Sequence, residues 1–373
     1  MEFNISREIF LDGIQKTLSI VERRTTIPIL NNVLIRAGGK NDLGVIATNR
    51  EIGLVAHYEA EVRNPGEITL SARKLYEMIR EIQGDFIHVK TNEMNWVNVS
   101  CGKVSYRIPG ISADDYPKVE SDDKQKFFMI NSGILTEMIE KTFFAMSQEE
   151  MRINLNGVFM EVEQGEAGSR VRMVATDGHR LSLVDMDLGD QKFLELEKGI
   201  IIPRRGVGEI KKLLEQGDED VEVGVEKGMI VMKKKNTFLK ISLIDADYPD
   251  YKRVITMDKG NRVELDRDQF LHALRRMGVM ATDKYNGVKI GISGDRMKLN
   301  STNPDVGEAN DEVDIAPQDK EMEAVYNVRY LIDAVDVMDE EKLVFEMREG
   351  LRPGTIRPAV KENYLCIIMP LKV

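Results

Sequence analysis

The chain runs to 373 residues, 42% hydrophobic and 31% charged, which is enough apolar material for more than one buried core and an ordinary soluble globular composition. Its 52 Lys+Arg against 63 Asp+Glu leave a formal charge of −11, which excludes a generally basic nucleic-acid binder but not a basic face on an acidic body. Two cysteines, Cys101 and Cys366, and four histidines exclude a disulfide framework and make a poor pool for zinc. The start Met1-Glu2-Phe3-Asn4 lacks the basic-then-apolar plan of a signal peptide, and no apolar run reaches the ~18 residues of a membrane span. A soluble protein of a reducing compartment is expected.

In chain order, the same signals come round three times. Ile46-Ala47-Thr48-Asn49-Arg50-Glu51 is echoed by Val174-Ala175-Thr176-Asp177-Gly178-His179 and by Asn300-Ser301-Thr302-Asn303-Pro304-Asp305. The three threonines are spaced 128 and 126 residues apart. A helix-like segment follows each landmark, at Ser71 to Ile79, Pro203 to Ile210 and Asn327 to Ile332. Ala113-Asp114-Asp115-Tyr116-Pro117 and Ala246-Asp247-Tyr248-Pro249 close the first two units. A period this long is far beyond a solenoid repeat, so it implies duplicated domains. The charged stretch 120–126 and the segment 252–260 are the candidate boundaries, giving domains 1–122, 127–251 and 259–373.

Each unit opens with a short strand and a helix. In the second, Ile134, Leu135, Met138, Ile139, Thr142 and Phe143 fall near helical spacing, with Asn131 or Ser132 as cap. Alternating runs such as Val158 to Val162 and Val171 to Ala175 read as half-buried strands, and Asp177-Gly178 as a hairpin turn. A second helix follows, expected over 74–82 with Ser71 as cap in the first unit and over 206–215 behind Pro203 in the second. The third unit is expected to carry its own over 330–341. Two helices packed on antiparallel sheet in each of three similar domains make an α+β architecture.

Positive charge gathers on helices: Arg73, Lys74 and Arg80; Arg204, Arg205, Lys211 and Lys212; Arg275 and Arg276. Interleaved Asp and Glu allow a merely solvated face, whereas convergence of the duplicated helices would suit a phosphate backbone read without its bases. No phosphate-cradling loop, nucleophile elbow or zinc-binding His pair is present in the sequence. Asp177 and His179 invite a hydrolase reading, but they lack a nucleophile, and turn chemistry accounts for Asp-Gly. A repeat-built protein-binding scaffold that never encircles DNA is the other alternative. The end of the chain, Cys366 to Val373, is apolar almost throughout; a last core strand is expected over 365–368, with Met369, Pro370, Leu371 and Val373 walling a groove.

Thr26-Ile27-Pro28-Ile29-Leu30, Ala72-Arg73-Lys74, Leu155-Asn156-Gly157, Ala175-Thr176-Asp177-Gly178-His179-Arg180-Leu181, Ile202-Pro203-Arg204, Tyr248-Pro249-Asp250-Tyr251 and Met369-Pro370-Leu371 span the whole chain. In these strings it resembles the bacterial DNA polymerase sliding clamps, the β subunits of the replicative polymerase III holoenzyme. The resemblance implies a non-enzymatic processivity factor of DNA clamp fold, without metal or cofactor, cytoplasmic and nucleoid-associated. It implies a head-to-tail homodimer closed into a ring around double-stranded DNA, with helices lining the hole and Arg24, Arg73, Lys74, Arg80, Arg204 and Arg205 facing the DNA. It also implies a cleft where the replicative polymerase, the clamp loader and repair proteins insert a short apolar-anchored motif. The cleft residues it implies are Leu155, Thr176, Gly178, His179, Arg180, Leu181, Pro249, Arg253, Val254, Tyr285, Asn327, Tyr330, Ile367, Ile368, Met369, Pro370 and Leu371. Arg253 and Val254 keep the family's basic-then-apolar pair, while Lys372-Val373 replaces the usual Arg-ending tail, and Leu351-Arg352-Pro353-Gly354 is unusually rich in Pro and Gly. For the dimer, Lys103, Ser105 and Arg107 read as an edge strand, complemented by acidic Asp305, Glu308 and Asp311.

Overall fold

The computed structural model describes residues 1–373 except 23–25, 40, 120–125, 166–167, 190–195, 197, 216, 218, 256–259 and 373. Seven helices occur among the described residues: α1 (Arg7–Thr17), α2 (Ala72–Glu81), α3 (Ser132–Phe143), α4 (Arg204–Leu214), α5 (Lys252–Ile255), α6 (Arg267–Gly278) and α7 (Val328–Asp336). None of them is long and apolar enough to cross a membrane. Contacts gather the chain into two compact units, Met1–Ser132 with Gly208–Leu243, and Gly133–Val207 with Ile244–Val373.

The first unit holds two antiparallel sheets. In the five-stranded one the spatial order is Glu61–Asn64, Glu2–Ser6, Phe86–Thr91, Trp96–Cys101, Val104–Pro109. Phe3 and Ile5 alternate inward from the N-terminal strand, and Phe3 meets Phe10 of α1 edge-on at 6.0 Å. In α2 the inward positions are Ala72, Leu75 and Ile79, at helical spacing, which leaves Arg73, Lys74 and Arg80 exposed on the other side. The eight-stranded sheet runs Phe128–Ile130, Val221–Glu226, Met229–Lys234, Thr237–Ser242, Ile52–Glu59, Asp42–Thr48, Asn32–Ala37, Gly66–Ser71. It joins strands of the first and second sequence repeats through one antiparallel pair, Ile241 opposite Ile52 and Phe238 opposite Val55.

The second unit repeats this plan. Its eight-stranded sheet runs Ile200–Pro203, Gly157–Gly165, Gly168–Thr176, Arg180–Asp187, Tyr364–Ile368, Gly354–Pro358, Lys342–Met347, Asn261–Asp266. The joining pair here sets Arg180 opposite Ile368 and Leu181 opposite Ile367. Both seams turn two open edges into paired strands, which removes unpaired backbone donors and acceptors. A separate ribbon of two long strands, Gly287–Asn303 and Gly307–Asn327, packs on α6 and α7, where Phe270, Tyr326 and Phe345 form one aromatic core.

Several local expectations shift. Ser71 stands at the N-cap of α2 without a side-chain capping bond, and the helix starts at buried Ala72. Pro203 ends a strand and does not enter α4, which begins at Arg204. Ser132 opens α3 as its first residue, its hydroxyl donating to the Glu219 carbonyl. The last helix begins at Val328, because Asn327 caps it by accepting from the Arg329 amide at 3.0 Å, and it stops at Asp336. Asp339 therefore lies beyond it.

Candidate functional site

The site builds outward from a turn. Between Thr176 and Arg180 the chain reverses with Gly178 at φ 88°, a left-handed conformation that glycine adopts without Cβ strain. Asp177 Oδ1 accepts from the His179 and Arg180 amides at 2.9 and 3.0 Å, and Thr176 Oγ accepts from the Gly178 amide at 3.0 Å. The Asp177 carboxylate is thus committed to backbone amides and to Arg180, while Gly178 and His179 stand exposed. This is an Asx-type turn, and it gives the Asp177–His179 pair a structural role in place of a hydrolytic one.

Arg180 is the buried centre, 9% exposed. It donates to Asp177 at 3.1 Å, to Asp333 at 2.6 Å and to the Phe144 carbonyl, and its guanidinium lies 4.2 Å from the Tyr330 ring centroid. Burial opposes its charge, but these carboxylates outweigh that cost and raise its pKa. Beside it runs the chain end. The strand Tyr364–Ile368 buries Ile367 and Ile368, then Met369 donates its amide to the His179 carbonyl at 2.9 Å and Leu371 to the Val325 carbonyl at 2.7 Å. Pro370, which has no amide to give, falls between these two bonds. Met369 is left 42% exposed.

The other residues expected at the cleft are spread over several positions. Leu181, Ile367 and Val254 share one apolar cluster with Tyr251 and Tyr248, and Tyr248 stacks on Phe159 at 4.7 Å. Pro249 is exposed and accepts the Tyr251 amide; Arg253 is 85% exposed and pairs with Asp250 at 2.8 Å. Leu155 ends a short 3-10 turn beside the site, where Arg152 donates to the Asp177 carbonyl at 3.0 Å. Asn327 is buried as the α7 cap; half-buried Tyr285 accepts the Thr282 amide at its carbonyl and donates its own amide to Thr282 Oγ1 at 3.2 Å. The sequence reading missed Asp333 and Arg152. The first falls one helical turn after Tyr330, a spacing that sequence does show.

The basic helices divide. Arg73, Lys74, Arg80 and Arg205 are exposed, with Lys74 paired to Glu77 at 2.7 Å and Arg80 to Glu81 at 3.0 Å. Arg204 is half-buried, stacked 4.8 Å from Phe143 and bonded to the Met146 carbonyl, and burial lowers its pKa. Arg275 and Arg276 are held by Asp336 and Asp311, so the solvated, ion-paired reading describes them. Arg24 lies outside the described residues. At the sheet edge, Ser105 and Arg107 lie exposed on the outermost strand, and Lys103 sits in the turn before it. Arg107 covers Trp96 at 4.8 Å. Glu308 is exposed on the long ribbon opposite Thr302, and Asp305 lies in its tip.

Residues 1–120, 129–250 and 252–372 match, in turn, the N-terminal, central and C-terminal domains of the DNA polymerase III beta subunit. The chain belongs to that family. The Beta sliding clamp of Pseudomonas aeruginosa is 32% identical over 378 residues, covering 100% of both chains. A Caulobacter crescentus beta sliding clamp structure superposes with a TM-score of 0.94 at 30% identity, over 100% of this chain and 99% of that one. A Bartonella birtlesii clamp crystallised with griselimycin gives 0.93 at 29%, over 100% of each. Three clamp domains, a processivity function on DNA with polymerase III, assembly as a homodimer and the absence of catalysis come with membership of this family.

Proposed function

We propose that this sliding clamp recruits its protein partners through the cleft around the Thr176–Arg180 turn. One observation carries the reading: the apolar chain end, Met369 to Leu371, is tied by backbone bonds beside an exposed turn, giving an apolar groove with a few orienting polar groups. Such a groove suits a short linear motif with apolar anchors, from the replicative polymerase, the clamp loader or repair proteins. Griselimycin, found with the Bartonella clamp, is expected to bind here and to compete with such motifs.

The DNA-facing set we propose is Arg24, Arg73, Lys74, Arg80, Arg204 and Arg205, of which Arg73, Lys74, Arg80 and Arg205 are exposed. Sequence-blind phosphate contacts suit a protein that must slide, and an overall charge of −11 discourages sticking elsewhere. Ring closure would pair the outermost strand Val104–Pro109 of one copy with the ribbon strand Gly307–Asn327 of another. Domain limits of 1–122, 127–251 and 259–373 and a cytoplasmic, nucleoid-associated location complete the proposal.

The test is retention on primed circular DNA after loading. Arg73→Glu with Arg205→Glu is expected to shorten retention roughly threefold or more while leaving the dimer intact. Linearising the circle should release wild type. Unchanged retention of the double variant would refute these DNA contacts, and failure to load on circles would favour a scaffold without encirclement.

A further inference from the structure

Arg180 has three anchors, and they differ in what they hold. Asp177 and the Phe144 carbonyl belong to the same stretch of chain that places Arg180 itself, the central part of the sequence. Asp333 does not: it stands on α7, three residues after Tyr330, so the two share a helix face. Its carboxylate meets Arg180 at 2.6 Å while the Tyr330 ring lies 4.2 Å from the same guanidinium. Asp333 is the ion-pair anchor that reaches from Arg180 to the helix carrying Tyr330. It is 40% exposed, whereas Arg180 is 9% exposed.

We propose that Asp333 is a positioning residue for peptide recognition: by clamping Arg180 against α7 it fixes the Tyr330 ring at the wall of the cleft. This rests on the cleft reading above. Removing the Asp333 charge leaves Arg180 with Asp177 and the Phe144 carbonyl, so no buried charge is stranded and the fold survives. What is lost is the fixed angle of the Tyr330 ring, hence preorganisation of the groove.

Fluorescein-labelled griselimycin titrated by anisotropy into the full-length dimer provides the test. Asp333→Asn is expected to weaken binding about fivefold, with the thermal midpoint within ~2 °C of wild type. Asp333→Glu should restore most of the affinity. In a Tyr330→Ala background, Asp333→Asn should have no further effect, since the group it positions is gone. If wild type binds and Asp333→Asn binds equally well, this inference fails and the cleft reading stands. If both single variants weaken binding additively, Asp333 acts independently of Tyr330 and the inference is overturned. If wild type itself does not bind, the cleft reading falls and takes the role of Asp333 with it.

Discussion

Arg50 holds a φ of 78°, in a turn where its counterpart one repeat later is Gly178 at 88°. The two turns share their bonds: Thr48 Oγ accepts from the Arg50 amide at 2.9 Å, and Asn49 Oδ1 accepts from the Glu51 and Ile52 amides at 3.1 and 2.7 Å. The hydrogen-bond pattern is the same, but only one copy uses the residue that the backbone prefers. A Cβ in the left-handed region costs about 1 kcal/mol, so Arg50→Gly is expected to stabilise the protein by up to that amount and Gly178→Ala to destabilise it similarly, read as shifts in urea midpoint. Glu346 makes a second residue-scale case. It is buried, which favours the neutral acid, yet the Gly260 amide, Arg348 and Arg262 outweigh burial and lower its pKa. A lowered folded pKa means stability that is present above the unfolded value of ~4.3 and lost as pH falls through the folded one. Glu346→Gln should therefore destabilise the fold at pH 7, by the roughly 1.5–3 kcal/mol typical of hydrogen bonds to a charged group, and its deficit against wild type should shrink as pH falls below the unfolded value in denaturant titrations across pH. A flat deficit would mean that the carboxylate charge contributes nothing.

At the scale of elements, what was legible was what local chemistry encodes. The Asp177-Gly178 turn, the inward stripe of α3 and the buried terminal strand all follow from spacing and turn preference within a few residues. What was not legible depends on partners far along the chain. Arg275 and Arg276 look available on their helix until Asp336 and Asp311, 61 and 35 residues away, pair with them. Ser71 has a good capping side chain that the backbone angle leaves unused, and Arg204 is drawn inward by Phe143. The terminal strap shows both halves. Its apolar character is plain in the sequence, whereas its seat, amide bonds to the His179 and Val325 carbonyls, needs the fold. Removing Met369 to Val373 deletes both bonds and the exposed Met369 side chain but leaves the strand Tyr364–Ile368 and its buried Ile367 and Ile368 in place. The truncated protein is expected to stay folded by circular dichroism and to lose griselimycin and polymerase-peptide binding beyond detection. Full affinity in a folded truncation would remove the strap from the site.

For the whole molecule, the threefold repeat foretold three domains, but not that each seam between repeats is a shared sheet. Strands such as Thr237–Ser242 and Ile52–Glu59 lie about 180 residues apart in sequence, and no local pattern announces their pairing. Among the sheet edges of the described residues, two carry features that ask for a partner strand. On the outermost strand Val104–Pro109, Tyr106 and Ile108 stand opposite Val99 and Val97, which are fully buried, yet they are themselves only half-covered. An apolar row that runs off the edge of a sheet calls for another strand, and exposed Lys103 and Arg107 flank it with positive charge. The ribbon strand Gly307–Asn327 offers exposed Glu308 and Glu312 toward its tip, away from the end where Val325 and Tyr326 meet the chain-end strap. Apolar contact would then supply most of the affinity between copies and the charges would choose the partner edge. Lys103→Glu with Arg107→Glu places like charges across that seam, and sedimentation velocity is expected to show monomer at micromolar concentrations where wild type is dimeric. Adding Glu308→Lys and Glu312→Lys should restore assembly, because the reversed edges again complement each other. A double variant that remains dimeric would mean that these two strands do not meet.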